Sequence, residues 1–163
     1  MPTFKTRRGQ PTDDARLRLI ARAAYAHYTA RMDRDPAPMH ADFAAHLNAD
    51  IVFVAVDAMR MVQGYTVLML DRQASNGGWL LDNIAVHPDE QGKGIGRLLM
   101  QQCEAFLRGQ DVTSYQLYTN EVMHENIDWY RGLGFVEVER RVENGFRRVY
   151  MQKRLVMECD DAG

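Results

Sequence analysis

The sequence predicts an α/β fold, an α+β arrangement on one mixed sheet. Three observations carry that prediction. Short segments such as "IVFVAV" (51–56) and "WLLDNIAV" (79–86) run apolar over strand-like lengths. From Gly94 the period lengthens to that of a helix, with Ile95, Leu98, Leu99, Gln102 or Cys103, and Phe106 on one stripe. Along the chain the two patterns read β-α-α-β-β-β-α-β-α-β-β, mixing antiparallel neighbours with a strand–helix–strand unit.

Residues 2 to 8 form the opening strand. "PTDD" (11–14) makes Thr12 a helix N-cap, with Asp13 and Asp14 in the first turn, where acids favour the helix dipole. Ile20, Ala23, Ala24, His27 and Tyr28 continue a helical stripe to Arg31. Pro36 and Pro38 break it, and a second short helix covers 39 to 48. "IVFVAV" and "RMVQGYTVLML" (60–70) are strands joined by a tight turn at Asp57 to Met59. "SNGG" (75–78) signals a loop before the strand at 79–86. "VTSYQLYT" (112–119) returns to strand, and 123–132 is a helix with Ile127 and Tyr130 inward, stopping at Gly132 or Gly134. The stretch 135–155 alternates on both sides of Asn144-Gly145, the strongest short hairpin signal. Residues 1–155 read as a single domain and 156–163 as a polar C-terminal tail.

Composition narrows the class. At 163 residues, 46% hydrophobic and 26% charged, the chain has the make-up of one globular domain. A net charge of −2 with interleaved signs gives no case for nucleic acid, and Lys5–Arg8, Arg140-Arg141 and Arg147-Arg148 read as solvated strand and turn positions. Cys103 reads as a small core residue and Cys159 lies in the tail; neither forms a metal-like pair, which favours a reducing compartment. "MPTFKTRRGQ" lacks the apolar stretch of a signal peptide, and no apolar run is long enough to cross a bilayer. The expected setting is cytoplasmic, with no membrane partner and no metal.

The functional signal is "HPDEQGKGIGRLL" (87–99), with Gly92, Gly94 and Gly96 at alternate positions ahead of a helix. Glycine inside a helix costs about 1 kcal/mol relative to alanine, so this spacing implies a ligand that touches the backbone. A strand, a glycine loop and a helix N-terminus together make an anion site. A Walker loop is excluded because Lys93 stands between glycines with no Ser or Thr after it. A dinucleotide fingerprint is excluded because the loop reads G-x-G-x-G and follows the fourth strand.

Gln91-x-x-Gly94-x-Gly96 behind "NIAVHP" resembles the coenzyme A pyrophosphate loop of the GNAT superfamily of acyl-CoA-dependent N-acetyltransferases, and "DWYRGLGF" (128–135) resembles its second coenzyme-binding helix. The element order agrees across essentially the whole chain. The resemblance implies a GNAT-like fold: a central, mostly antiparallel sheet splayed between the fourth and fifth strands and flanked by helices. It implies that Gln91, Gly92, Lys93, Gly94, Ile95, Gly96 and Arg97 bind the pyrophosphate of acetyl-CoA through their amides. The strand edge Ile84, Ala85 and Val86 is implied to pair with the pantetheine arm as an added strand would. Many members carry Asn seven residues before the tyrosine; here that position is Met123, and Asn126 or Asn120 would have to substitute.

Acetyl transfer to nitrogen needs a neutral amine and an acid to meet the departing thiolate. The resemblance assigns the acid to Tyr130. Asp82, in a strand otherwise apolar, is the candidate base, acting directly or through an ordered water; alternation places Asp82, Ile84 and Val86 on one face and Asn83 and Ala85 on the other. His87 and His124 read as solvated loop histidines. The acceptor, a small-molecule amine or a peptide N-terminus, is expected against Tyr28, Arg31, Met39 and the hairpin around Asn144. A homodimer is expected from family habit and the strand edge near the C-terminus. The rival class is a non-catalytic acyl-CoA-binding or regulatory module.

Overall fold

A computed structural model describes residues 3–71 and 78–156. Pro2 of the expected first strand, most of the "SNGG" loop, Cys159 and nearly all of the tail lie outside them. Among the described residues the strands are β1 (Lys5–Arg8), β2 (Ile51–Val56), β3 (Val62–Leu70), β4 (Trp79–Val86), β5 (Ser114–Asn120), β6 (Val136–Glu143) and β7 (Phe146–Arg154). The α-helices are α1 (Asp14–Tyr25), α2 (Phe43–Ala49), α3 (Ile95–Gly109) and α4 (His124–Gly132). The fold is mixed α/β, in the element order expected, and it divides into two compact units.

The first unit is Met1–Leu70 with Leu81–Cys103. Its strands lie in the order β1-β2-β3-β4, with β1–β2 and β2–β3 antiparallel. β2 runs buried because "IVFVAV" offers no polar face, and α1 covers the neighbouring β3 with Leu17, Ile20 and Ala21 fully buried. Each large apolar side chain so buried contributes about 1.5–3 kcal/mol. Arg16 fixes the approach of α1, donating from Nε to the Val62 carbonyl (2.8 Å) and from Nη2 to Gln63 Oε1 (3.0 Å). Phe43 of α2 meets the Tyr65 ring edge-on at 5.1 Å, and Tyr65 Oη donates to Asn83 Oδ1 of β4 at 2.9 Å. Cys103 is fully buried, its thiol donating to Thr66 Oγ1.

The helical segments begin and end differently from the sequence expectation. Thr12 does not cap α1. A 3-10 turn at Pro11–Asp13 precedes the helix, and the Asp13 carboxylate accepts the Gln10 N–H at 2.7 Å while the Asp13 N–H returns to the Gln10 carbonyl at 2.8 Å. Asp13 stands at the N-cap position of α1 but makes no side-chain bond into the helix; its carboxylate is held by Arg7 (2.8 and 3.0 Å), a charge pairing that a threonine hydroxyl cannot make. α1 stops at Tyr25, and Ala26–Arg31 continues as a 3-10 turn. The segment expected as a helix over 39–48 is a 3-10 turn at Ala37–His40, begun at Pro36 and Pro38, followed by α2, whose start is set by Asp42 accepting the Ala45 N–H.

The second unit is Asp71–Leu80 with Glu104–Gly163. Its strands lie in the order β5-β7-β6, both pairs antiparallel. Asn144 (φ 52°) and Gly145 (φ 80°) both take the left-handed conformation that a two-residue hairpin turn requires. Buried Glu104 accepts from Tyr115 Oη (2.6 Å) and from Lys153 Nζ (2.8 Å), so its charge is paired. Ile127 and Tyr130 are the buried face of α4, as the spacing predicted, and the Phe135 ring packs against both Tyr130 and Tyr115. α4 ends at Gly132, and Gly134 (φ 103°) reverses the chain into β6.

Candidate active site

The glycine loop is held at both ends. At its start the His87 N–H donates to the Gln63 carbonyl (2.8 Å), and a 3-10 turn at Pro88–Glu90 follows, its first amides tied to His87. At its end Ile95 is buried to 1% exposure. Gly64 permits this seating. A Cβ there would stand 3.0 Å from Ile95 Cγ2 and 3.1 Å from both the Ala85 carbonyl oxygen and Leu99 Cδ1.

Between these anchors the backbone turns through Gly92 (φ 82°) and Gly94 (φ 84°), conformations that side-chain-bearing residues seldom adopt. A Cβ at either position would meet nothing within 4 Å. The glycines therefore serve the loop's curvature and leave its outer surface open. The first helical bond runs from the Leu98 N–H to the Gly94 carbonyl (3.0 Å), so the amides of Ile95, Gly96 and Arg97 precede the helical ladder at the positive end of α3. A diphosphate fits such a cradle. Exposed Arg97 adds charge there, while Lys93 is paired with Glu90 at 2.7 Å.

The edge of β4 leads into this loop. Ile84 and Ala85 are buried and Val86 is partly exposed. Tyr25 Oη donates to the Ile84 carbonyl at 2.8 Å and Gln91 Nε2 to the Val86 carbonyl at 3.2 Å. Both carbonyls carry a side-chain donor. Tyr25 thus belongs to this edge, a contact the sequence reading missed and no local pattern signals.

Asp82 stands earlier on β4 and does not act alone. Its Oδ2 is 3.7 Å from Nε2 of His46, whose Nδ1 is 2.8 Å from Asp50 Oδ2. The exposures of the His46, Asp50 and Asp82 side chains are 15%, 18% and 18%. Asp82 meets His46 of α2, while the neighbouring Asn83 accepts from Tyr65, whose ring packs on Phe43 of the same helix. His46 was missed by the sequence reading; the spacing of four between His46 and Asp50 was the available signal.

In the second unit Tyr130 is 4% exposed, flanked by the rings of Trp129 and Phe135. Asn126, the substitute for the missing asparagine, directs Nδ2 to the Met123 sulfur at 3.7 Å, and that sulfur also receives Thr119 Oγ1 at 3.6 Å. Asn120 closes the preceding turn, accepting the Val122 and Met123 amides. Of the expected acceptor residues in the first unit, Tyr28 is buried against Tyr25 and His27 with Arg31 over its ring, while Met39 is partly exposed in its 3-10 turn. His87 caps the Pro88–Glu90 turn with its side chain partly buried, and His124 is the exposed first residue of α4 and not a loop residue.

Residues 48–137 match the family model described as an acetyltransferase (GNAT) domain. A 54-residue segment is 33% identical to the uncharacterised N-acetyltransferase ycf52 of Gracilaria tenuistipitata var. liui, over 33% of this chain. That match spans 28% of the relative's own length, well under two thirds of it. Among solved structures, the ribosomal-protein-S18-alanine N-acetyltransferase of Escherichia coli superposes with a TM-score of 0.72 at 19% identity, covering 99% of both chains. The PaiA N-acetyltransferase of Thermoplasma acidophilum, solved with coenzyme A, gives 0.75 at 15% identity over 94% of this chain and 99% of its own. YncA of Salmonella typhimurium, solved with acetyl-CoA, gives 0.69 at 20% identity over 99% of both. At these identities the likeness is one of fold.

Proposed function

Because the chain belongs to the GNAT acetyltransferase family, we propose that it moves an acetyl group from acetyl-CoA to a primary amine, directly, with donor and acceptor bound together. The observation that carries this reading is the pair of left-handed glycines, Gly92 and Gly94, whose outer surface is open directly ahead of the α3 N-terminus. Acetyl-CoA supplies the activated thioester. Amides from Gln91 to Arg97 hold its diphosphate, and the backbone along Ile84 to Val86 aligns its pantetheine arm.

Asp82 receives the proton that the amine must lose, and the Tyr130 hydroxyl gives a proton to the departing thiolate. A buried tyrosine is suited to the second task, since it brings a donor to the reacting atom without bulk water. Asn126 contributes to the cofactor side through the amide groups that its contact with the Met123 sulfur does not use. Arg31, Met39 and the hairpin around Asn144 are the surfaces we assign to the acceptor, a small amine or a peptide N-terminus. The reading includes a cytoplasmic setting and a homodimer; the edge strand β6, exposed at every residue but its last, supports the second.

The test is a panel of amines and peptide N-termini incubated with acetyl-CoA, with free thiol release as readout. Amine-dependent release supports the reading. Coenzyme A binding with no release on any acceptor would favour a binding module instead.

A further inference from the structure

We propose that His46 is the proton relay of this site: it takes from Asp82 the proton lost by the amine and returns it to solvent. The inference deepens the acetyltransferase reading and rests on it. Three features of the first unit converge. Asp50 follows the last turn of α2, where its amide closes on the His46 carbonyl at 2.8 Å, so the two side chains stand one helical turn apart. An ionised carboxylate can only accept, so the 2.8 Å contact to Nδ1 makes that nitrogen the donor. The lone pair of the neutral ring is then on Nε2, the nitrogen that faces Asp82 at 3.7 Å.

The groups at the ring are Asp50 from the end of α2, Asp82 from β4 and the edge of Phe43, whose ring centre is 6.2 Å away. The carboxylates lie on opposite nitrogens rather than converging on one point, which is the geometry of a proton path and not of a cation site. An orienting carboxylate, an imidazole and a partner on its far nitrogen is the arrangement that holds one tautomer ready in acid–base catalysis.

The step balances without further reactants. An N–H bond of the ammonium breaks, its electron pair stays on nitrogen, and the proton passes by way of Asp82 to Nε2 once the 3.7 Å separation tightens to hydrogen-bond length with substrate bound. The imidazole becomes imidazolium between two carboxylates that both end ionised, and water then removes the proton. Carboxylates ordinarily ionise too low to hold a proton at neutral pH, whereas an imidazole as a class exchanges one there.

His46→Asn tests this, because its amide can keep the Asp50 contact while removing Nε2; His46→Gln is the second variant, should the first fail to fold. Steady-state rates against pH should show kcat lowered by about 10² near neutrality, with the KM for acetyl-CoA unchanged. The deficit should shrink in part as pH rises, since an amine already neutral in solution is spared the deprotonation that precedes attack. A loss uniform across pH, or a kcat within twofold of the parent at every pH, would overturn the relay. Nitrogen-15 spectra of the ring decide independently of turnover: the neutral wild-type ring should be the Nδ1–H tautomer, and an Nε2–H tautomer would overturn the assignment. Should no amine be acetylated, calorimetry with acetyl-CoA reports on the acetyltransferase reading while the spectra still decide the relay.

Discussion

The Arg7 guanidinium grips the Asp13 carboxylate with two hydrogen bonds, at 2.8 and 3.0 Å, and so ties the opening strand to the turn that starts α1. Burial alone would push the Asp13 carboxyl up, but the Arg7 hydrogen bonds, the Gln10 amide and the Arg7 charge together outweigh it and hold the carboxyl below its ordinary 3.8. As pH falls, the unfolded chain therefore takes up this proton before the folded one does. The contribution is present in full above the ordinary value and is lost as pH drops through the lower, folded value. Asp13→Asn should cost about 1–3 kcal/mol at pH 7. Denaturant melts should show that difference narrowing below about pH 4; a difference independent of pH would contradict the charge argument.

Gly64→Val should destabilise by about 1–3 kcal/mol through overpacking. The added Cβ must displace Ile95, Leu99 or the β4 backbone at Ala85. Since Ile95 seats the glycine loop, coenzyme A affinity should fall with stability. A thermal melt and a titration on one variant check both, and unchanged affinity in a destabilised protein would separate the loop from its support.

The edge strand β6 exposes Val136 (63%), Val138 (47%) and Val142 (71%). A homodimer that covers this edge should dissociate when Val138→Lys places a charge there. Light scattering at micromolar concentration should read a dimer for the parent and a monomer for the variant. A monomeric parent would remove the dimer from the account.

Tyr130→Phe keeps the ring that packs on Phe135 and removes only the hydroxyl. If that hydroxyl meets the thiolate, kcat should fall by about 10²–10⁴, with acetyl-CoA affinity little changed. A loss confined to kcat marks an interaction made mainly in the transition state. A kcat within twofold of the parent, with chemistry rate-limiting, would take Tyr130 out of the reaction.

What was legible in the sequence was what local pattern encodes. β2 and β4 begin and end where "IVFVAV" and "WLLDNIAV" begin and end, because an unbroken apolar run at that length has few alternatives. Asn144-Gly145 and the glycine loop were legible because left-handed backbone leaves its mark on residue choice. The 3-10 turns at Ala26–Arg31 and Ala37–His40 were not, since their spacing differs from that of an α-helix by less than one residue per turn. Nor could any window of sequence show that His46 and Tyr25 meet β4, or that the Asn126 amide rests on the Met123 sulfur. The parts given to Tyr130 and to the β4 edge came from family resemblance rather than from pattern.

The loop at residues 91–97 is the proposed diphosphate site. Calorimetric titration of acetyl-CoA into the parent and into Gly94→Val tests it most directly. A valine at φ 84° is strained, and its side chain enters the open space where nothing of the protein lies within 4 Å. Strain of this kind costs of order 1–3 kcal/mol in stability, so the variant should fold. The parent should bind, and the folded variant should bind at least about tenfold more weakly, a loss of about 1.4 kcal/mol. Equal affinity in a folded variant would mean that the diphosphate lies elsewhere, and the central claim would fall.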